Sequence, residues 1–235
     1  MPSKKLLILL CFIASTQAFS QFADDDFYYG FSGGLNYSAV SEVQTTLIRP
    51  VFSESTYSAS DKNKLGYNLS AFVYLRFPNS KFAIQPAIGY VKRGGQFSYS
   101  DIESLEYDIH FDYSYVHISP IFKFYTAEGF NILFGPQLGF IINRSGLRYE
   151  SNMPELGPDL QIQQSLREVL KGNSVASFVI GVGYDLPMGI GVDAQLQLGL
   201  TDTIETLANG FYFIENKNIS SSLQFTFSYA IPFFK

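Results

Sequence analysis

A two-residue period that returns eight times along the chain limits its fold more than any other feature. From Phe27 to Tyr37 one face reads Phe27, Tyr29, Phe31, Gly33, Leu35, Tyr37, and the other reads Tyr28, Gly30, Ser32, Gly34, Asn36. Successive side chains of a strand point to opposite faces, so this alternation predicts a strand with one apolar face and one small or polar face. The pattern recurs over 65–77, 82–93, 115–124, 131–143, 177–186, 190–201 and 222–233. It is clearest in the seventh segment, where Ile190, Val192, Ala194, Leu196, Leu198 and Leu200 stand against Gly191, Asp193, Gln195, Gln197, Gly199 and Thr201. Eight strands of roughly 11 to 14 residues suit a tilted crossing of a bilayer.

What fills the polar faces separates a membrane barrel from a soluble lipocalin-like barrel or a β-sandwich. A water-facing strand face is rich in Lys and Glu. Here those faces hold Gly, Ser, Asn and Gln, and the apolar faces carry essentially no charge except Lys92 near a strand end. Only 16% of residues are charged, against about 25% in a typical soluble domain, and the chain has 23 Phe, 16 Tyr and no Trp. Lipid leaves strands no option but a closed barrel, because every backbone polar group must be paired within the wall. The expected fold is all-β, an eight-stranded antiparallel up-and-down transmembrane β-barrel. Its inward face carries Gly30, Gly34, Gly66, Gly89, Gly135, Gly139, Gly181, Gly183, Gly191 and Gly199 among larger Tyr28, Phe72, Tyr74 and Tyr115. A barrel of this size has room for side chains but no open pore.

The first 20 residues read as a secretory signal peptide. Lys4 and Lys5 precede an apolar run from Leu6 to Ala14, and small or polar residues follow. That run is shorter than the roughly 20 residues a membrane-spanning helix needs. Cleavage is expected after Ser20, or alternatively after Ala18, leaving residues 21–235 as the barrel domain. Leu9 and Leu10 precede Cys11, where lipidation would call for small residues, and the expected mature chain has no cysteine. Removing Lys4 and Lys5 changes 16 basic residues to 14 against 21 acidic ones, a formal charge of 14 minus 21, or −7. Such a chain lacks the basic stripe that nucleic-acid binding requires.

Connection lengths alternate strictly. Residues 78–81, 126–129 and 187–189 form short links, and those near 38–64, 95–112, 144–174 and 202–218 are long. Outer-membrane barrels have short periplasmic turns and longer outer loops, so both termini, with the acidic run Asp24 to Asp26, are expected in the periplasm. In the third outer loop, Leu160, Ile162, Leu166, Val169 and Leu170 predict a short amphipathic helix within 159–171, ended by Gly172. The preferred role for it is to pack its apolar side chains over the barrel mouth.

Several short motifs lie in order along these strands: Ile84-Gln85-Pro86-Ala87-Ile88-Gly89-Tyr90 with Lys92-Arg93-Gly94-Gly95, then Tyr115-Val116-His117-Ile118-Ser119-Pro120-Ile121-Phe122-Lys123-Phe124, then Phe134-Gly135-Pro136-Gln137-Leu138-Gly139. Gly181-Val182-Gly183-Tyr184 and Leu198-Gly199-Leu200-Thr201 follow. Together they resemble the PorT-type outer-membrane β-barrel family. The sequence departs from that pattern by placing Ser119 between Ile118 and Pro120. The resemblance implies an outer-membrane location and, for one branch of the family, a part in type IX protein secretion.

Candidate chemistry is sparse. His117 and Ser119 share a face two residues apart, as an acyl-transfer site on lipid A would need, but the more economical reading is a packed lumen histidine. His110 near Asp108 and Asp112 is expected to be solvated. The acidic group Asp101, Glu103, Glu106, Asp108 and Asp112 lacks the glycine-centred spacing of a calcium loop, and Gly181-Val182-Gly183 does not open a helix as a phosphate loop would. No cofactor, metal or catalytic site is therefore assigned. The favoured function is a non-catalytic structural or accessory component of an envelope or secretion machine, with outer-membrane lipid and another envelope protein at the outer loops as partners. A lipid A-modifying enzyme and a small-solute pore are the alternatives. One lumen site is expected: Arg76, Lys123, Asp185 and Asp193 share one inward depth near the periplasmic mouth and should form a charge network closing the barrel floor.

Overall fold

A computed structural model describes residues 27–43, 47, 57–152, 159–206 and 218–231. The predicted signal peptide, Asp24 to Asp26 and residues 232–235 at the end of the last predicted strand lie outside the described residues. Among the described residues the elements run in chain order β1 (Phe27–Val40), β2 (Tyr57–Lys62), β3 (Lys64–Arg76), β4 (Phe82–Asp101), β5 (Glu106–Tyr125), β6 (Phe130–Ile141), β7 (Leu147–Ser151), α1 (Asp159–Val169), β8 (Leu170–Gly172), β9 (Val175–Asp185), β10 (Ile190–Asp202), β11 (Ile204–Thr206) and β12 (Ile219–Ile231).

Eight of these strands close into an antiparallel barrel in the order β1, β3, β4, β5, β6, β9, β10, β12 and back to β1. Closure removes the sheet edges that lipid could not satisfy. The faces fall as the alternation predicts. Phe31, Leu35, Leu69, Ile88, Ile118, Leu138, Phe225 and Phe227 are exposed on the outside. Asn36, Asn68, Phe72, Tyr74, His117, Gln137, Asp193, Gln197 and Gln224 are buried within. The three short turns sit at one end, each with a left-handed residue: Asn79 (φ 54°), Gly129 (φ 72°) and Gly189 (φ 80°). At Gly189 the turn closes with Gly189 N–H donating to Leu186 O at 3.0 Å and Leu186 N–H to Ile190 O at 2.8 Å.

At the opposite end the structure corrects the expectation of long loops. The link near 95–112 is no loop: β4 and β5 stay paired from Phe82↔Phe124 out to Ser100↔Glu106, joined by a tight turn in which Asp101 Oδ1 accepts from Glu103 N at 2.9 Å and Leu105 N at 3.0 Å. The hairpin continues because its inward face stays apolar, burying Phe97, Ile109, Phe111 and Tyr113. β2 adds to β4 and β7 adds to β5, so a four-stranded sheet rises beyond the barrel. Between Lys62↔Gln96 and Tyr67↔Lys92 the chain advances five residues against four on β4. This bulge reverses side-chain parity, and Lys64 Nζ reaches Asp112 at 2.8 Å, with Lys92 3.6 Å from the same carboxylate. The ion cluster marks the level where the outward face turns from apolar to polar.

The predicted helix is present as α1 and lies against β7. Gln163 Oε1 accepts from Tyr149 N at 3.0 Å, and Arg167 Nε donates to Leu147 O at 2.8 Å, so the helix satisfies edge groups of β7. Val169, Leu170 and Leu147 join Val40, Val91, Phe111, Tyr113, Tyr115, Val175 and Ile204 in burial at this end. Apart from Val169, these residues belong to one cluster that plugs the barrel.

Three prolines form a row across neighbouring strands. Pro86 faces Pro120, and Pro120 falls opposite Pro136 midway between Ile118↔Leu138 and Phe122↔Phe134. Even-numbered residues carry the β5–β6 hydrogen bonds, as in Ile142 N to Ser114 O (2.9 Å) and Thr126 N to Phe130 O (3.1 Å). Both donors are therefore missing where Pro120 meets Pro136, since proline has no N–H. Flat prolines on a lipid-facing row interrupt the β5–β6 ladder within the membrane wall.

Candidate functional site in the barrel lumen

Near the short-turn end, Lys123 of β5 is 2% exposed and its ammonium must find anions inside the wall. Its Nζ lies 3.1 Å from Asp185 Oδ1, 3.2 Å from Asp185 Oδ2 and 3.8 Å from Asp193 Oδ1. Asp185 Oδ2 also accepts from Tyr125 OH at 2.7 Å and Asn131 Nδ2 at 3.0 Å, and Tyr74 OH donates to Tyr125 OH at 2.9 Å. Glycines make the space: a Cβ on Gly183 would overlap Asp193 Oδ1, and one on Gly191 would come within 2.7 Å of Asp185 Oδ1. Three of the four charged residues singled out by depth thus meet. Arg76 does not reach either carboxylate; its guanidinium lies over the Tyr125 ring, 5.2 Å from the centroid. Depth alone could not reveal this, because Arg76 is exposed at the end of β3 and its long side chain follows the aromatic wall. Asn131 and Tyr125 escaped sequence reasoning, which places Tyr74 on the inward face but not in this site. The lumen-parity glycines flanking the two aspartates were the signal that could have found the site.

A cavity of about 320 Å³ opens at the short-turn mouth, lined by Lys123, Tyr125 and Asp185 of this floor and by Tyr28 and Tyr74, whose rings stack at 4.2 Å and 8°. Arg76, Gln85, Glu128 and Pro187 also line that cavity.

Higher in the lumen, polar side chains join hand to hand around the wall. Asn68 Nδ2 donates to Gln224 Oε1 (3.4 Å), Gln224 Nε2 to Gln197 Oε1 (2.8 Å), Gln197 Nε2 to Ser177 Oγ (2.7 Å), and Ser177 Oγ to Gln137 O (3.3 Å). Gln137 Nε2 lies 3.0 Å from His117 Nδ1, and His117 Nε2 lies 3.1 Å from Ser70 Oγ, returning the belt to β3. His117 and Ser119 do not form the pair considered for lipid chemistry: the hydroxyl partner of His117 is Ser70, reached over Gly89. His117 and Ser119 are 5% and 3% exposed. Above the belt, buried Arg93 lies over the Tyr115 ring at 4.6 Å.

On the projecting sheet the outward face is ordered in cross-strand rows. Lys62, Gln96, His110 and Arg148 form one row, and Ser60, Ser98, Asp108 and Glu150 the next. His110 is less solvated than its sequence suggests, because Gln96 of β4 and Arg148 of β7 flank it on either side; Glu150 Oε2 stands 3.9 Å away. Burial, with Lys64 and Arg148 nearby, pushes the His110 imidazole below its ordinary range. Burial works to raise Asp108, but hydrogen bonds from Ser98 and Gln96 outweigh it and hold that carboxyl below the usual range.

A closed antiparallel wall with an apolar outside, together with a lumen filled by paired polar groups, defines an integral outer-membrane β-barrel. The chain belongs to the outer membrane protein beta-barrel domain family, whose model matches residues 19–205. No curated protein sequence matches it significantly. Its fold is similar to Neisserial surface protein A (12% identity, 86% of this chain and 96% of that one, TM-score 0.43). It is also similar to the attachment invasion locus protein Ail of Yersinia pestis (13%, 88% and 100%, TM-score 0.41). A third similar structure is OprG of Pseudomonas aeruginosa (9%, 87% and 94%, TM-score 0.36).

Proposed function

We propose that this outer-membrane barrel is non-catalytic and acts as a structural or accessory subunit of an envelope machine, with protein secretion as the process that its PorT-type motifs favour. The observation that carries this reading is the lumen: the Lys123 floor, the polar belt and the aromatic plug occupy the space a solute path would use. His117 and Ser119 are buried inside the wall, which keeps them from lipid on its outer surface. In this reading the short turns face the periplasm, the projecting sheet faces outward, and the sheet is the surface offered to a partner. Extraction of native membranes in mild detergent, followed by affinity purification of the tagged barrel, should recover a stoichiometric envelope partner. Recovery of the barrel alone after gentle cross-linking argues for a free-standing role instead.

A further inference from the structure

We propose that the cavity at the short-turn mouth is a binding site for the carboxylate end of an extended peptide carrying an aromatic or apolar last residue. The proposal deepens the accessory-subunit reading and rests on it for the source of the peptide, a periplasmic partner. The argument begins with charge. Lys123 is committed to Asp185 and Asp193, and Asp185 is further held by Tyr125 and Asn131. Among the described residues no carboxylate lies within ion-pair distance of Arg76, which also lines the cavity. Arg76 is held in place all the same: its guanidinium rests on Tyr125, and that ring is fixed by the chain Tyr74 to Tyr125 to Asp185.

One preorganised guanidinium matches the planar fork of a carboxylate. A phosphate dianion would call for a second free cation, and it would face Asp185 and Glu128 across the same cavity. Glu128, exposed at the rim of the mouth, suits the N–H groups of a peptide. The Tyr28–Tyr74 stack and Phe72 give the apolar surface against which a terminal side chain packs. The volume, about 320 Å³, is at the lower end of ligand sites, which span about 300 to 1,000 Å³, so it takes a residue or two and no large cofactor.

The probe is N-acetyl-glycyl-phenylalanine, as the free acid and as the amide, titrated by calorimetry against the mature protein in detergent micelles. Saturable binding of the acid is expected, with the amide at least tenfold weaker. Arg76→Gln should weaken the acid by at least tenfold and leave the amide unchanged, and Arg76→Lys should fall between. Heat-modifiable gel migration verifies that each variant is folded, and if Arg76→Gln does not fold, the acid-to-amide ratio on the wild-type protein decides. Equal affinity for acid and amide, wild-type affinity in folded Arg76→Gln, or no saturation by the acid at millimolar concentration overturns the site. These outcomes are independent of whether a partner co-purifies, so the site and the subunit reading fail separately.

Discussion

Lys123 shows how a single side chain can govern a barrel floor. Replacing it with Met leaves Asp185 and Asp193 facing each other in a low-dielectric lumen, and removing one partner of a buried ion pair costs about 3 to 5 kcal/mol. Urea unfolding of Lys123→Met in lipid vesicles should show a loss of that order, and Asp193→Ala should also melt below the wild type; wild-type midpoints in both would remove the network's structural role. Outside the membrane, the ionisable residues of the projecting sheet set a pH dependence. His110 and Asp108 both have folded pKa values below their unfolded ones, so the unfolded sheet binds more protons and stability falls as pH falls. The contribution is complete above about pH 6.5. It declines first as His110 gains its proton and again as pH drops through the carboxylate range. Near-ultraviolet circular dichroism melts at pH 7, 5 and 3 should show this descent, and Asp108→Asn should flatten its acid part. A melt that stays constant across that range contradicts the assignment.

Among the elements, the staves of the barrel were legible because each repeats one period with an apolar outer face; the parity of Leu196 and Gln197 needed no tertiary information. The extension of β4 and β5 was harder to read. Ser98, Ser100, Glu106 and Asp108 look like loop residues, and only the non-local burial of Phe97, Ile109 and Phe111 beneath them makes the segment a strand. β2 and β7 are shorter still, and their pairing depends on that extended hairpin as a template. The belt was legible as polar parity but not as pairs, since Ser70 and His117 meet across a whole strand. The proline row has its own consequence at this scale. The rungs flanking the Pro120–Pro136 gap lack a neighbour on one side, so the amides of Phe122 and Leu138 should exchange with deuterium about tenfold faster than those of Val182 and Ala194 in the unbroken β9–β10 ladder. Equal protection, measured by nuclear magnetic resonance in micelles, would show that the wall compensates for the missing donors.

For the whole molecule, floor, belt and plug lie in series along one axis, so opening any one level leaves two closed. Vesicles holding the purified barrel should therefore pass no small sugar or amino acid above the rate of empty vesicles, and Gln197→Ala with Gln224→Ala should remain tight. Solute passage by the wild type would overturn the closed-lumen account. The helix above the membrane bears on a different matter, crowding. In a densely packed membrane a projecting sheet with a bare edge can recruit the next molecule strand to strand and grow into a lateral polymer. By occupying the backbone groups of Leu147 and Tyr149 with Arg167 and Gln163, α1 turns that edge into a chain terminator, so neighbouring barrels can slide past one another without joining along β7.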